Sequence, residues 1–413
     1  MPQRIKTLLK WFYPGIGIKR WVTLSIFGIA LLIFSSGRLR IDEFLFFKVL
    51  DAVILFSGII ILILGVKRIL RSLLAVFVPV SRGVDILDII YQSKQITRGP
   101  KIAVIGGGTG LSVLLSGLKQ FTSNISAIVT VADDGGSSGR IREEFDILPP
   151  GDIRNCLVAL ADAPALMRDL FQFRFDTTSN LSGHSFGNLF ITVMTRLTGD
   201  FEKAIKETSK VLALRGQVMP STLDRVVLVA EHKDGTTTIG ENNIPQTHRL
   251  IERVYLKPQK PQATPDALKA IKEAQVVVLG PGSLYTSIIP NLLIDEITEA
   301  IVKSDALKVY VCNVMTQPGE TDGYSASDHL GALLAHSHPK VVDYAILNTA
   351  TVPKGILSRY SQQGSHLVLN DRKKIEGMGY RVIEDDFVFV EDMLVRHDHL
   401  KLAKIIFGFI EEI

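Results

Sequence analysis

Only two cysteines, Cys156 and Cys312, occur in 413 residues, with no Cys-x-x-Cys pair and no His/Cys spacing of the zinc type. That scarcity excludes a disulfide framework and a structural zinc module, and it fits a reduced, cytosolic setting. The chain also lacks a basic surplus where a nucleic-acid binder would carry one. Residues 1–100 hold 14 Lys+Arg against 5 Asp+Glu, and the remaining residues hold 32 against 37. The larger part is therefore mildly acidic, which argues against nucleic acid as a partner. No Ser-His-Asp or Cys-His arrangement follows from spacing, and there is no internal repeat or low-complexity segment.

What is abundant is apolar. The hydrophobic fraction is 46% and the mean hydropathy +0.25, with the excess at the front. Trp21 to Phe34 and Ala52 to Val66 contain no charged residue. Widened to 21–36 and 49–66, both approach the roughly 20 residues that span a bilayer core. We read them as a transmembrane hairpin joined by Gly37 to Lys48, with a buried helical pair as the alternative. A signal peptide is disfavoured, because no small-residue cleavage site follows and a second apolar run does. Arg4, Lys6, Lys10, Lys19 and Arg20 precede the first span, and Lys67, Arg68, Arg71 and Arg82 follow the second. This bias puts both ends in the cytoplasm. Trp11, Tyr13 and Trp21 fit interfacial positions, and Ile69 to Val80 reads as an interfacial continuation. Residues 1–100 are thus expected to be an anchor and linker, and 101–413 a cytoplasmic domain.

From Lys101 the pattern becomes α/β. Strands are expected at Lys101–Gly107, Ser126–Ala132, Arg225–Ala230, Val276–Gly280, Lys308–Val314 and Val342–Leu347. Helices are expected at Leu111–Phe121, Gly187–Leu197, Phe201–Leu212, Pro265–Glu273 and Asp328–His336. Alternation of this kind implies a mainly parallel, doubly wound sheet with ligands beyond the C-terminal strand ends. Thr236 to Lys260, with a tight turn at Asp234-Gly235, reads as a small antiparallel insertion.

The chemistry-bearing motifs fall at strand ends. Gly106, Gly107, Gly108, Thr109 and Gly110 would let the backbone approach a phosphate ahead of a helix N-terminus. A purely structural turn is the alternative, and the sixth position is Leu111, so this is no clean dinucleotide fingerprint. Asp133 and Asp134, followed by Ser137 and Ser138, suit a divalent cation or sugar hydroxyls; Mg²⁺ is the candidate metal and a solvated turn the alternative. Asp152 and Asn155 in PGDIRN, and His184 and Asn188 in HSFGN, are helix starts that could contact a ligand or simply cap. Gly280, Pro281, Gly282 and Ser283 repeat the first glycine loop, so a ligand with two or more phosphates is plausible. Asn313 opens a last such loop, NVMTQPGET. His329, His336 and His338 after it read as surface helix residues.

Together GGGTG, DDGGSSGR, PGDIRNCLVALA, HSFGN, GPGSLYTSIIPN and CNVMTQPGETDGY closely resemble the YvcK family of gluconeogenesis factors, within the CofD-like superfamily. The likeness runs from Lys101 to the C-terminus in six ordered motifs. It implies a Rossmann-like fold that binds a UDP-sugar such as UDP-N-acetylglucosamine and serves cell shape and wall synthesis during gluconeogenic growth. It further implies that the Gly106–Gly110 and Gly280–Ser283 loops hold the diphosphate, that Asp133 and Asp134 lie near a metal and acceptor, and that Asn188 lines the pocket. The superfamily's namesake moves a 2-phospholactate-type group from a nucleotide-diphosphate carrier, which is the rival, enzymatic expectation. An NAD(P)-dependent oxidoreductase is a third, resting on the first loop alone. Expected partners are the nucleotide-sugar, the bacterial inner membrane, envelope-synthesis proteins and further copies of the chain.

Overall fold

The computed structural model describes residues 18–38, 44–77, 96–176, 181–391 and 393–411. Trp11, Tyr13 and the end of the Ile69–Val80 stretch lie outside them. The chain divides into two compact units, Met1–Ser93 and Lys94–Ile413.

In the first unit, α1 (Ile18–Arg38) and α2 (Leu45–Phe77) are long apolar helices. Their windows Arg20–Arg38 and Phe46–Ile69 are long and apolar enough to cross a membrane. Small residues let the two backbones meet: a Cβ on Gly28 would stand 3.0 Å from the Gly58 carbonyl oxygen, and one on Gly58 3.2 Å from that of Gly28. At one end Arg38 pairs with the buried Asp51 at 3.6 Å. At the other the Arg68 guanidinium lies 4.7 Å over the Trp21 ring. The outward faces of both helices are apolar, with Phe27, Ile33, Phe56 and Ile63 exposed.

The second unit begins with β1 (Ile102–Gly106), α3 (Gly108–Leu118), β2 (Ile125–Val129), α4 (Gly136–Phe145) and α5 (Gly151–Leu160). There follow α6 (Ala165–Gln172), α7 (Phe186–Thr198), α8 (Phe201–Val211), β3 (Gln217–Pro220), β4 (Val227–His232), β5 (Thr237–Ile239) and β6 (Ile251–Lys257). Next come α9 (Pro265–Glu273), β7 (Val276–Leu279), α10 (Ile289–Leu292), α11 (Asp295–Lys303), β8 (Leu307–Val311), α12 (Ala326–Ala335) and β9 (Tyr344–Asn348). The unit ends with α13 (Lys354–Gln362), α14 (Arg372–Gly377), β10 (Arg381–Asp385), β11 (Val388–Glu391), β12 (Leu394–His397) and α15 (His399–Glu411).

Seven strands form one parallel sheet in the order β10-β9-β8-β7-β1-β2-β3. Central strands are buried on both faces, which is why β1 and β7 read as continuous apolar runs rather than alternating ones. Leu111, Leu114, Leu115 and Leu118 on α3 recur at helical spacing and bury against this sheet. The chain winds outward from β1 through β2 to β3 and later resumes at β7 on the other side of β1. The β1/β7 pair, in register from Ile102↔Val276 to Ile105↔Leu279, is therefore the topological switch point.

One expectation changes. The strand expected at Arg225–Ala230 is β4, and it lies outside the main sheet: it pairs antiparallel with β5 and β6 in the insertion. Its partners come from the neighbouring hairpin through Asp234-Gly235, and that local pairing wins over the alternation rule. The edge strands β3 and β10 were not legible, because edge positions carry a weaker apolar run. Cys156 and Cys312 are both free and buried.

Candidate functional site

The switch point opens into a cleft of about 480 Å³, lined by both glycine loops together with Asp133, Asp152, Glu241, Ser287, Asn313, Gln317, Arg396 and His397. The loops touch backbone to backbone. A Cβ on Gly110 would stand 2.8 Å from the Pro281 carbonyl oxygen and 3.0 Å from the Gly282 Cα, and one on Gly282 3.2 Å from the Gly107 oxygen. Gly107 has an extended backbone, so it is needed for space, with a virtual Cβ 2.6 Å from Asp152 Oδ2. Gly108 and Gly280 have φ of +66° and +81°, the left-handed region that favours glycine.

Neither helix start at the cleft is closed by its own cap residue. Gly107 caps α3, and Ser283 stands before the turn Leu284–Ile288, both without a side-chain capping hydrogen bond. Asp152 engages the Gly108 N–H and Glu320 the Tyr285 N–H, and the other first-turn N–H groups with the positive ends of two helical segments remain for an anion. Asn313 fixes the second loop with both ends of its amide: Nδ2 donates to the Gly282 oxygen at 2.8 Å, and the Gly282 N–H donates to Oδ1 at 3.3 Å. Asn291 ties the two loops from below, donating to the oxygens of Gly106 at 3.1 Å and Ser287 at 2.8 Å.

Opposite the loops stand carboxylates held above their ordinary range. Burial, then the charge of Asp133, pushes Asp152 up to about 7. Burial, then Asp133 and Asp152, pushes Glu241 up to about 8. Asp133 is also raised, chiefly by burial, against the pull of the Gly135 N–H. Three acids share one recess, so beyond the cost of burial each resists the ionisation of the others. His397 is held down at about 4 by burial, and its Nε2–H donates to the Cys312 oxygen at 3.1 Å, so it is neutral. Arg396 brings positive charge to the lining.

The structure divides the acidic pair. Asp133 faces the cleft, whereas Asp134 accepts the backbone N–H of Asn242 at 2.8 Å and of Glu241 at 3.1 Å. Asp134 therefore holds the turn that delivers Glu241. Among the described residues no group of three or more His, Cys, Asp or Glu side chains is placed to hold a metal ion. A Mg²⁺ here would need phosphate oxygens of a ligand to complete its shell.

Several expected site residues stand behind the cleft and shape it. Ser137 and Ser138 are buried in the first turn of α4. Asn188 Nδ2 donates to Ser137 Oγ at 3.0 Å, so the Ser137 hydroxyl is free to donate to His184 Nδ1, also at 3.0 Å. Ser185 caps α7 by accepting the Asn188 N–H, and the buried Arg154 donates to the Ser185 hydroxyl and, at 2.7 Å, to Asn155 Oδ1. HSFGN thus braces the segment that follows Asp133 and Asp134. Gly106 and Gly280 sit at the strand ends beneath the cleft. Asn155 lines a neighbouring groove with Lys119, Arg168 and Arg396.

Glu241, Arg396 and His397 were missed, while Ser287 and Gln317 lie within the two later motifs without having been singled out. Glu241 arrives from the insertion, and Arg396 and His397 arrive from β12 near the C-terminus, so nothing local announces them. One reading needs correction: His329 is fully buried, not a surface residue, and His336 Nε2 accepts the Val254 N–H at 3.0 Å. The apolar face of α12 carries His329 inward against Tyr324, with ring centroids 5.5 Å apart.

Residues 102–388 match the family described as 2-phospho-L-lactate transferase CofD. The gluconeogenesis factor of Bacillus subtilis is 49% identical over 76% of this chain and 99% of its own length. A relative in Nostoc sp. is 44% identical over 98% of this chain and 92% of its own length, so that alignment takes in the N-terminal segment. A crystal structure of a Bacillus halodurans protein superposes with a TM-score of 0.73 at 49% identity, covering 74% of this chain and 99% of that one. With its cleft at the β1/β7 switch point and these relatives along its length, the chain belongs to the CofD family, among the gluconeogenesis factors.

Proposed function

We propose that the chain is a regulatory protein that binds a UDP-sugar of the UDP-N-acetylglucosamine type and acts in cell-wall synthesis and cell shape during gluconeogenic growth. The observation that carries the ligand class is the contact between the two uncapped glycine loops at the switch point. Two N–H cradles side by side suit a diphosphate, and the acids across the cleft suit sugar hydroxyls. The physiological role rests on the family. In this reading α1 and α2 anchor the protein in a bacterial inner membrane with the large unit on the cytoplasmic side, where envelope-synthesis proteins and further copies of the chain are its partners. The test is calorimetric titration of the purified chain with UDP-N-acetylglucosamine, with and without Mg²⁺. Binding in the micromolar range supports the reading, and absence of binding in both conditions sinks it.

A second reading is favoured by the raised carboxylates beside the loops: a transferase using a nucleotide-diphosphate donor, with Asp133 or Asp152 accepting a proton from the acceptor. It predicts release of nucleoside monophosphate when an acceptor is present, and loss of that release in Asp133→Asn. The oxidoreductase reading gains nothing, because Leu111 at the sixth loop position is buried in the core.

A further inference from the structure

Behind the second glycine loop lies a polar relay that the ligand reading does not use. Ser283 occupies a cap position, where serine ordinarily accepts a backbone N–H, yet its side chain makes no such bond. Its hydroxyl donates instead to Gln317 Oε1. The Gln317 Nε2 donates in turn to Glu320 Oε1 at 2.6 Å. Glu320 is 4% exposed, and its Oε2 has no hydrogen-bond partner. A buried carboxylate with one bare oxygen is a costly arrangement that a single proton would relieve.

We propose that Glu320 is a positioning residue that decides, through Gln317, whether Ser283 offers the cleft a lone pair or a hydrogen-bond donor, and so couples anion binding to proton uptake. This rests on the diphosphate reading above. A serine has one hydroxyl proton. With Glu320 ionised, that proton is spent on Gln317 and only lone pairs face the ligand's phosphate. When a solvent proton adds to Glu320, the new O–H donates to Gln317 Oε1 once the amide has turned over. Gln317 Nε2 then donates to Ser283, and the serine proton turns to the phosphate. One O–H bond forms on Glu320 as one breaks in the hydronium or buffer acid that supplies the proton, no bond between heavy atoms changes, and one proton enters per anion gained.

The surroundings of Glu320 favour a change of state near neutrality. Burial raises it to about 7, with Asp322 adding to the shift, while Thr286, the Tyr285 N–H and Ser283 pull it down. Glu241 faces it from the insertion, so each acid opposes the other's charge. Tyr285, whose hydroxyl lies 2.8 Å from that of Tyr324, is held neutral well above this range. His329 packs against Tyr324 from α12 and is held below its ordinary value by burial.

The test uses the full chain, with UDP-N-acetylglucosamine and inorganic pyrophosphate as separate probes titrated from pH 6 to 8.5. A donor to a charged oxygen is worth about tenfold in affinity. Asp152 and Glu241 give every variant some tightening on acidification, so the comparison is between variants. Glu320→Gln keeps the neutral, donating state: it should match the parent at pH 6 and bind about tenfold tighter at pH 8.5. Ser283→Ala should bind weakly throughout, and adding Glu320→Gln to it should change nothing. A Glu320→Gln variant with the parent's pH profile, or weakened equally at all pH values, would overturn the relay, as would a Glu320 effect that survives in Ser283→Ala. If pyrophosphate binds with this pattern and the UDP-sugar does not, the relay stands and the ligand reading falls; if neither probe binds, both fall.

Discussion

Asp152 sits where the first glycine loop leaves no room for a side chain, and its charge state is set by burial and by Asp133. A folded value of about 7 against an ordinary 3.8 means the folded form keeps a proton that the unfolded chain has lost across that window. Stability therefore falls as pH rises from about 4 to about 7, by at most about 1.4 kcal/mol per pH unit for this group, and levels off above. Asp152→Asn should remove that slope and melt higher than the parent at pH 8, measured as Tm across pH. Gly110→Ala tests the loop contact. Its Cβ would press on the Pro281 backbone, which cannot yield as a flexible side chain would, and the expected cost is about 1–3 kcal/mol together with loss of ligand binding. At this scale the glycines were legible, since a run of them after an apolar strand has few other uses. Glu241 was not, because a lone acid in an insertion carries no periodic or motif signal.

Among elements, α4, α5 and α7 hold one another through polar side chains rather than through apolar faces alone. Ser137→Ala removes the acceptor of Asn188 Nδ2 and leaves that buried amide unpaired. We expect about 1–3 kcal/mol of destabilisation, read by denaturant titration, with weaker ligand binding because the Asp133 loop is no longer braced. Arg154 does the same between α5 and the cap of α7. Arg154→Met should cost more than about 2 kcal/mol, since its removal leaves the Ser185 hydroxyl without its donor and Asp133 and Asp152 without the cation that opposes their charge. The HSFGN motif could be read from sequence as a helix start, and its serine does cap. That His184 and Asn188 reach back to Ser137 rather than into the cleft is a long-range pairing, 47 and 51 residues apart, which no local pattern encodes.

At the scale of the molecule, the two units make separable predictions. The full chain should sediment with membranes and resist salt and alkaline washing but yield to detergent, because α1 and α2 expose apolar side chains over their spanning lengths. A soluble chain after gentle lysis would count against the anchor. The Lys94–Ile413 unit should fold without the helices, as the 49%-identical relatives that cover only about three-quarters of this chain do, and bind the same ligand with unchanged affinity.

The sequence by itself determined what depends on local pattern. Two apolar runs with no charge dictate long helices, glycines after apolar strands dictate tight strand-to-helix turns, and strand–helix alternation dictates a parallel sheet. Which strands become neighbours was decided only by the tertiary structure. The loops after β1 and β7 lie about 170 residues apart in the chain and meet because the winding reverses at β1, bringing two half-sites into contact. The same packing turned Asp134 onto the backbone of the insertion, carried Glu241, Arg396 and His397 to the cleft from distant segments, and buried Glu320 and His329. Side-chain direction and desolvation are properties of the assembled molecule, and the site's charge follows from them.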